Sequence, residues 1–214
     1  MKNIIRNFAV FEGVDGSGTS TQLAMLEKRL GGLQQVAGRA YPHFHITFEP
    51  TEGQVGRLIR RALKKEISLH PHTLARLFAA DRTEHLYGQG GVVEQCGRGE
   101  LVVSDRYVLS SLVYQGIDCG DELAQSLNCA FPLPELLVFF DIDPEISMSR
   151  VHSRSTPELY EYLEFQQKVR LKYLSLLDVL KQNGVRVETI DASKSPDEVA
   201  RDVWSVLSKM PILN

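Results

Sequence analysis

Cysteine is scarce. Three among 214 residues, Cys96, Cys119 and Cys129, make an odd set with wide spacing and no C-x-x-C pair. That argues against a zinc ribbon or a dithiol redox couple and for reduced thiols in a reducing compartment. Long apolar runs are missing as well. Phe8–Phe11 ends at Glu12, too short for a signal peptide or a membrane span, and nothing later reaches the length of a bilayer crossing. A cytoplasmic protein with no membrane attachment is expected. Charge of one sign is also lacking: the formal net charge is −3, which disfavours general nucleic-acid coating or docking on anionic lipid. There is no internal repeat, low-complexity tract or long linker. With 43% hydrophobic residues the chain can bury a core without disulfides, and one domain over residues 1–214 is expected.

What is present is alternation. Short apolar runs exchange with longer amphipathic stretches, the pattern of an α/β fold with a parallel sheet wrapped by helices. Strands are expected at Phe8–Phe11, His45–Phe48, Leu101–Asp105, Leu136–Phe140 and Val185–Ile190. The first helix should begin near Thr19, carry Leu23, Leu26 and Leu30, and stop at Gly31-Gly32. Val55, Leu58, Ile59 and Leu63 mark a second helix, and a longer one follows Pro71. A polar break at 153–157 precedes a helix with Leu159, Leu163, Gln166, Val169, Tyr173, Leu177 and Leu180 in step. Pro196 opens a closing helix.

Between the first strand and the first helix stands Gly13-Val14-Asp15-Gly16-Ser17-Gly18-Thr19-Ser20, followed by Thr21. Glycines there let backbone N–H groups converge on phosphate oxygens, and the helix start adds its positive end. Ser20 stands where a hydroxyl would hold Mg²⁺. The pattern departs from G-x-x-x-x-G-K-[ST] at one place: Thr19 replaces the lysine. Losing one charge stabiliser costs about 10²–10³ in rate, so another cation must take over or the protein is slow.

Two further constellations accompany the loop. Asp105 closes an apolar strand and Arg106 follows it, a carboxylate for a metal beside a guanidinium for a phosphate. Ser110 and Tyr114, and likewise Ser111 and Gln115, then lie one helical turn apart and can face a base. Phe78 and Arg82 are also four apart, an aromatic beside a guanidinium, which suits a flat heteroaromatic ligand. Taken alone, Phe78 reads as core.

Together these segments resemble thymidylate kinases along nearly the whole chain: Phe11–Gln22, Glu49–Gly53, Leu77–His85 and Asp105–Gln115, with Asp141–Pro144 and Ile190–Ser193 as later landmarks. The resemblance implies a three-layer P-loop kinase fold, a five-stranded parallel sheet with a short lid near 150–161. It implies transfer of the γ-phosphoryl of ATP to dTMP with Mg²⁺, by a homodimer. By similarity, Gly13, Gly16, Ser17, Gly18, Thr19, Ser20 and Thr21 would bind ATP, and Ser20 and Asp105 the metal. Asp15 would contact the sugar 3′-hydroxyl, and Arg106 would hold the acceptor phosphate. Phe78 would stack on thymine and Arg82 would bond its exocyclic oxygen. Glu49, Ser111 and Gln115 would complete the acceptor pocket, with Tyr107 crowding the position of a ribose 2′-hydroxyl.

Two departures concern cations. Many bacterial members have Arg-Glu-Pro where this chain has Phe48-Glu49-Pro50, so Arg57, Arg60 or Arg61 would have to reach in. The lid stretch Glu158-Leu159-Tyr160-Glu161 lacks its usual arginine. Arg150 and Arg154 are then expected to approach the γ-phosphoryl on lid closure, with Arg154 the main substitute for the loop lysine. On this reading Thr19→Lys should raise the rate. The competing readings are a catalytically weak thymidine-nucleotide sensor and a kinase for dUMP or a cytidine nucleotide.

Overall fold

The computed structural model describes residues 3–35, 41–151 and 158–214. Five strands, β1 (Ile4–Gly13), β2 (Phe44–Phe48), β3 (Leu101–Asp105), β4 (Leu133–Asp141) and β5 (Arg186–Asp191), form one parallel sheet in the order β2-β3-β1-β4-β5. Phe8, Ala9, Val10 and Phe11 are completely buried. Strands covered on both faces read as unbroken apolar runs, which is why periodicity identified them. Alternate side chains leave opposite faces of the sheet. Ala9 and Phe11 join a core with Leu23, Leu26, Val169, Tyr173 and Val199, while Phe8 and Val10 join a second core with Leu86, Val92 and Val102.

The first face is covered by α1 (Thr19–Gln34), α8 (Leu163–Gln182) and α9 (Pro196–Leu207); the second draws on α3 (Pro71–Tyr87), α4 (Val92–Gly97) and α5 (Val108–Cys119). The remaining helices are α2 (Gln54–Leu63), α6 (Asp121–Asn128) and α7 (Pro144–Val151). Central β1 lies between β3 and β4, so the loops after β1 and β3 open side by side at the carboxyl edge of the sheet. That edge is where ligands bind in such sheets.

Three expectations need correction. Helix α1 runs through Gly31 and Gly32 to Gln34. Glycine inside a helix costs only about 1 kcal/mol, and Leu30 is buried immediately before the pair. The long helix starts at Leu163, not Leu159. Leu159 instead donates its N–H to the Leu63 carbonyl at 2.9 Å and packs beside the Ile59, Ala62 and Leu74 cluster. Strands β1 and β4 extend beyond the runs read from the sequence: the ladder between them is interrupted around Asn7, which takes φ 64°, and resumes with Ile4 and Ile5 beside Leu133 and Pro134.

Candidate active site

The loop is shaped by two left-handed glycines, Gly16 (φ 79°) and Gly18 (φ 94°). A Cβ on Gly16 would lie 2.4 Å from the Ser147 carbonyl oxygen, so conformation and space both demand glycine there. Gly18 caps α1 with no side-chain hydrogen bond to its first turn. The amides and positive end of a 16-residue helix therefore remain available to an anion. In front of them lies a cavity of about 570 Å³ whose wall includes Asp15, Gly16, Gly18, Thr19, Ser20 and Thr21. Gly13 and Ser17 sit behind that wall. A Cβ on Gly13 would meet Ser17 Oγ at 2.5 Å, and that hydroxyl is buried with no hydrogen-bond partner among the described residues.

A second cavity, about 670 Å³, adjoins the first. Both are walled by Asp15, Ser20, Asp105, Arg106 and Glu158. Within this shared wall Ser20 Oγ donates to Asp105 Oδ2 at 2.7 Å, while Asp105 Oδ1 is buried with no hydrogen-bond partner among the described residues. A hydroxyl and a carboxylate with one open oxygen fit a hard divalent cation that keeps waters and phosphates as its other ligands.

Arg106 carries the shared wall. It adopts φ 70°, a left-handed conformation that a non-glycine residue holds only when its surroundings compel it. Its N–H donates to the Phe11 carbonyl at 2.8 Å. One guanidinium nitrogen meets Asp15 Oδ1 at 2.5 Å; the other donates to Ser110 Oγ at 3.1 Å and Tyr173 OH at 3.4 Å. Burial opposes its charge, but Tyr114, Asp15, Tyr173 and Asp105 outweigh that and lift its pKa well above the ordinary value. Asp15 is gripped in turn by Gln166, whose amide donates to Oδ2 at 2.7 Å and accepts from the Asp15 N–H at 3.1 Å.

Beneath Arg106 lies Glu12, fully buried. It accepts from the N–H groups of Tyr107 (3.0 Å) and Ser110 (3.2 Å), from Ser110 Oγ (2.6 Å) and from Tyr173 OH (3.0 Å). Burial pushes its carboxyl up to about 7, against these donors and nearby Arg106. Sequence reasoning missed Glu12 and Gln166. The one local signal for Glu12 was a carboxylate closing an apolar run. Gln166 read as one more step in a core helix.

The larger cavity gathers Phe78, Arg82, Glu49, Tyr107, Ser111 and Gln115. Arg82 is 1% exposed and almost saturated. It donates twice to Glu49 Oε2 (2.9 and 2.6 Å), once to Ser111 Oγ (3.1 Å) and once to Asn128 Oδ1. Of five guanidinium N–H groups, that leaves one for anything else. Glu49 also meets His85 Nδ1 at 2.9 Å. Gln115 differs: its Oε1 is buried with no hydrogen-bond partner among the described residues. Tyr107 turns its hydroxyl to the Pro132 carbonyl at 2.9 Å, and its ring meets that of Phe8 in a T-shaped contact. Ser110 and Tyr114, expected to face a base, have hydroxyls directed to Glu12 and Asp15 instead.

Of the arginines on α2, Arg60 reaches the larger cavity, donating to the Pro50 carbonyl and lying over the Phe48 ring. Arg57 and Arg61 do not line it. Arg150 donates to the Ala192 carbonyl at 3.1 Å and lines neither cavity. Arg154 and the whole of the expected polar break at 153–157 lie outside the described residues.

The sequence that builds this site has known relatives. The family model described as thymidylate kinase matches residues 11–203. The chain belongs to the thymidylate kinase family. A protein of Treponema pallidum (strain Nichols) named "Putative thymidylate kinase" is 45% identical over 200 residues, covering 92% of each chain. The "Probable thymidylate kinase" of Pyrobaculum aerophilum is 39% identical over 204 residues, 95% of this chain and 97% of that one. A Methanococcus aeolicus protein of the same name is 33% identical over 213 residues, 98% and 100% of the two chains. The nucleotide-sensing alternative finds no support among these relatives.

Proposed function

We propose that the chain transfers the γ-phosphoryl of ATP to dTMP, giving dTDP. The observation that carries this reading is the shared wall: a loop built for donor phosphates and a pocket built for a flat base meet at Arg106 and Asp105. Phosphoryl transfer requires in-line positioning and cancellation of charge on the moving group, with little covalent help from the protein. Loop amides and the start of α1 would hold the donor phosphates, and Arg106 the acceptor phosphate. Asp15 pairs with Arg106 in the free protein and would meet the acceptor sugar. Ser20 and Asp105 would hold Mg²⁺, which when bound neutralises charge on the transferring phosphoryl.

The base follows from Gln115. An unpaired buried acceptor calls for a ligand N–H, and thymine and uracil carry one at N3 where neutral cytosine has none. The remaining Arg82 N–H would meet the exocyclic oxygen, and Phe78 would stack. That preference disfavours a cytidine nucleotide. From the family we also infer a homodimer acting in the cytoplasm in nucleotide biosynthesis; sedimentation velocity checks the assembly. A coupled assay with ATP, Mg²⁺ and a panel of dTMP, dUMP and dCMP tests the activity. Turnover highest with dTMP and negligible with dCMP is expected; a preference for dCMP contradicts the pocket reading.

A further inference from the structure

The loop has no lysine, yet its cavity is strongly acidic. Asp15, Glu66, Asp105, Glu158 and Glu161 all line it. A triphosphate among five carboxylates needs protein cations as well as a metal. Only two of the described lining residues are cationic, Arg106 and Lys64. Arg106 is held by Asp15, Ser110 and Tyr173 at the acceptor boundary.

Lys64 comes from an unexpected place, the residue that caps the C-terminus of α2. Two contacts tie that helix end to the stretch that opens the approach to α8. The Leu159 N–H bonds the Leu63 carbonyl, and Lys65 Nζ donates to Tyr162 OH at 2.9 Å. Consecutive residues then divide the two cavities, Leu63 lining the acceptor side and Lys64 the donor side. One turn earlier on the helix, Arg60 lines the acceptor side. The charge of Lys64 already acts on Glu158, opposing the rise that burial imposes on that carboxyl.

We propose that Lys64 supplies the donor-phosphate charge that position 19 lacks, acting from the wall opposite the loop. Its ammonium is a flexible point charge that can settle on β- and γ-oxygens. The proposal rests on reading this cavity as the ATP site. On it, α2 carries one cation for each substrate: Arg60 for the acceptor and Lys64 for the donor.

The test is a double-mutant cycle in the full-length protein with Lys64→Met, which keeps most of the apolar stem, and Thr19→Lys. Lys64→Met should lower kcat about 10²–10³-fold and weaken ATP binding by calorimetry about tenfold or more, with dTMP affinity and melting temperature unchanged. Lys64→Arg should retain most of the ATP affinity. Adding Thr19→Lys to Lys64→Met should restore most of the loss, because either lysine serves the same oxygens. Unchanged ATP affinity in Lys64→Met overturns the proposal. So does a double variant no better than Lys64→Met alone, which would make Lys64 a brace for the end of α2. If the parent protein binds ATP through Lys64 but transfers nothing to dTMP, the kinase reading fails and the lysine assignment stands.

Discussion

The two cavities are built by opposite strategies. On the side proposed for the acceptor, buried and half-buried side chains have orientations fixed by other side chains: Arg82 by Glu49, Ser111 and Asn128, and Arg106 by Asp15, Ser110 and Tyr173. On the side proposed for the donor the loop offers backbone amides and hydroxyls, and the cation that α2 brings to the same cavity is an exposed lysine at a helix end. A base has a shape to be read, so its pocket is rigid before the ligand arrives. A triphosphate is mostly charge, and charge can be met by a group that moves into place. The difference explains how a lysine can vanish from the loop while the larger cavity keeps Phe78, Arg82, Ser111 and Gln115 in its wall.

If the acceptor side is the rigid half, breaking its buried pairs should hurt folding, whereas donor-side changes should not. The largest effect is expected from Glu49→Ala. It leaves Arg82 charged and unpaired at 1% exposure, which destabilises by about 3–5 kcal/mol. Urea unfolding monitored by far-UV circular dichroism measures this. Next comes Arg106→Ala at the boundary, with kcat for dTMP lowered about 10²–10³-fold. Steady-state kinetics should show the loss with ATP affinity nearly unchanged.

A third prediction concerns Glu12. Its carboxyl has an ordinary value of 4.5 and is pushed up to about 7 in the fold by burial, so the folded chain binds a proton more tightly than the unfolded one. Its contribution to stability is fully present below pH 4.5 and is lost as pH rises through about 7, a span of at most about 3 kcal/mol. Glu12→Gln should flatten that part of the stability profile between pH 4.5 and 7.5, read as the difference in denaturant midpoint between parent and variant. An identical slope in both proteins would show that Glu12 ionises freely. The smallest effect belongs to the donor side. In the parent background Thr19→Lys should change kcat by less than about threefold, because Lys64 already fills the role. That replaces the sequence-based expectation of a faster variant, and a large gain would sharpen the contrast by showing that the opposite wall is an imperfect substitute.

The sheet and the loop were legible because their signals are local. A strand buried on both faces is a run of apolar residues, and a phosphate loop is a run of glycines between a strand and a helix. Phe78 and Arg82 were legible because four residues separate neighbours on a helix face. What stayed hidden depends on distant partners. Glu12 gains its meaning from Ser110 and Tyr173, 98 and 161 residues away. The tethering of Arg82 requires Glu49 and Asn128 from other elements. Helices α4 and α6 span six and eight residues, too few turns to show a period. Lys64 reads as one solvated charge in a basic helix until the fold lays that helix end across the loop.

On the proposed reading a phosphoryl group passes between the two cavities at Arg106 and Asp105. The most direct measurement follows γ-labelled ATP mixed with the protein, Mg²⁺ and dTMP, with products separated by ion-exchange chromatography. Label recovered in dTDP, in proportion to ADP formed, is the predicted result. Label released only as inorganic phosphate, or left on ATP while calorimetry shows both nucleotides bound, would contradict it.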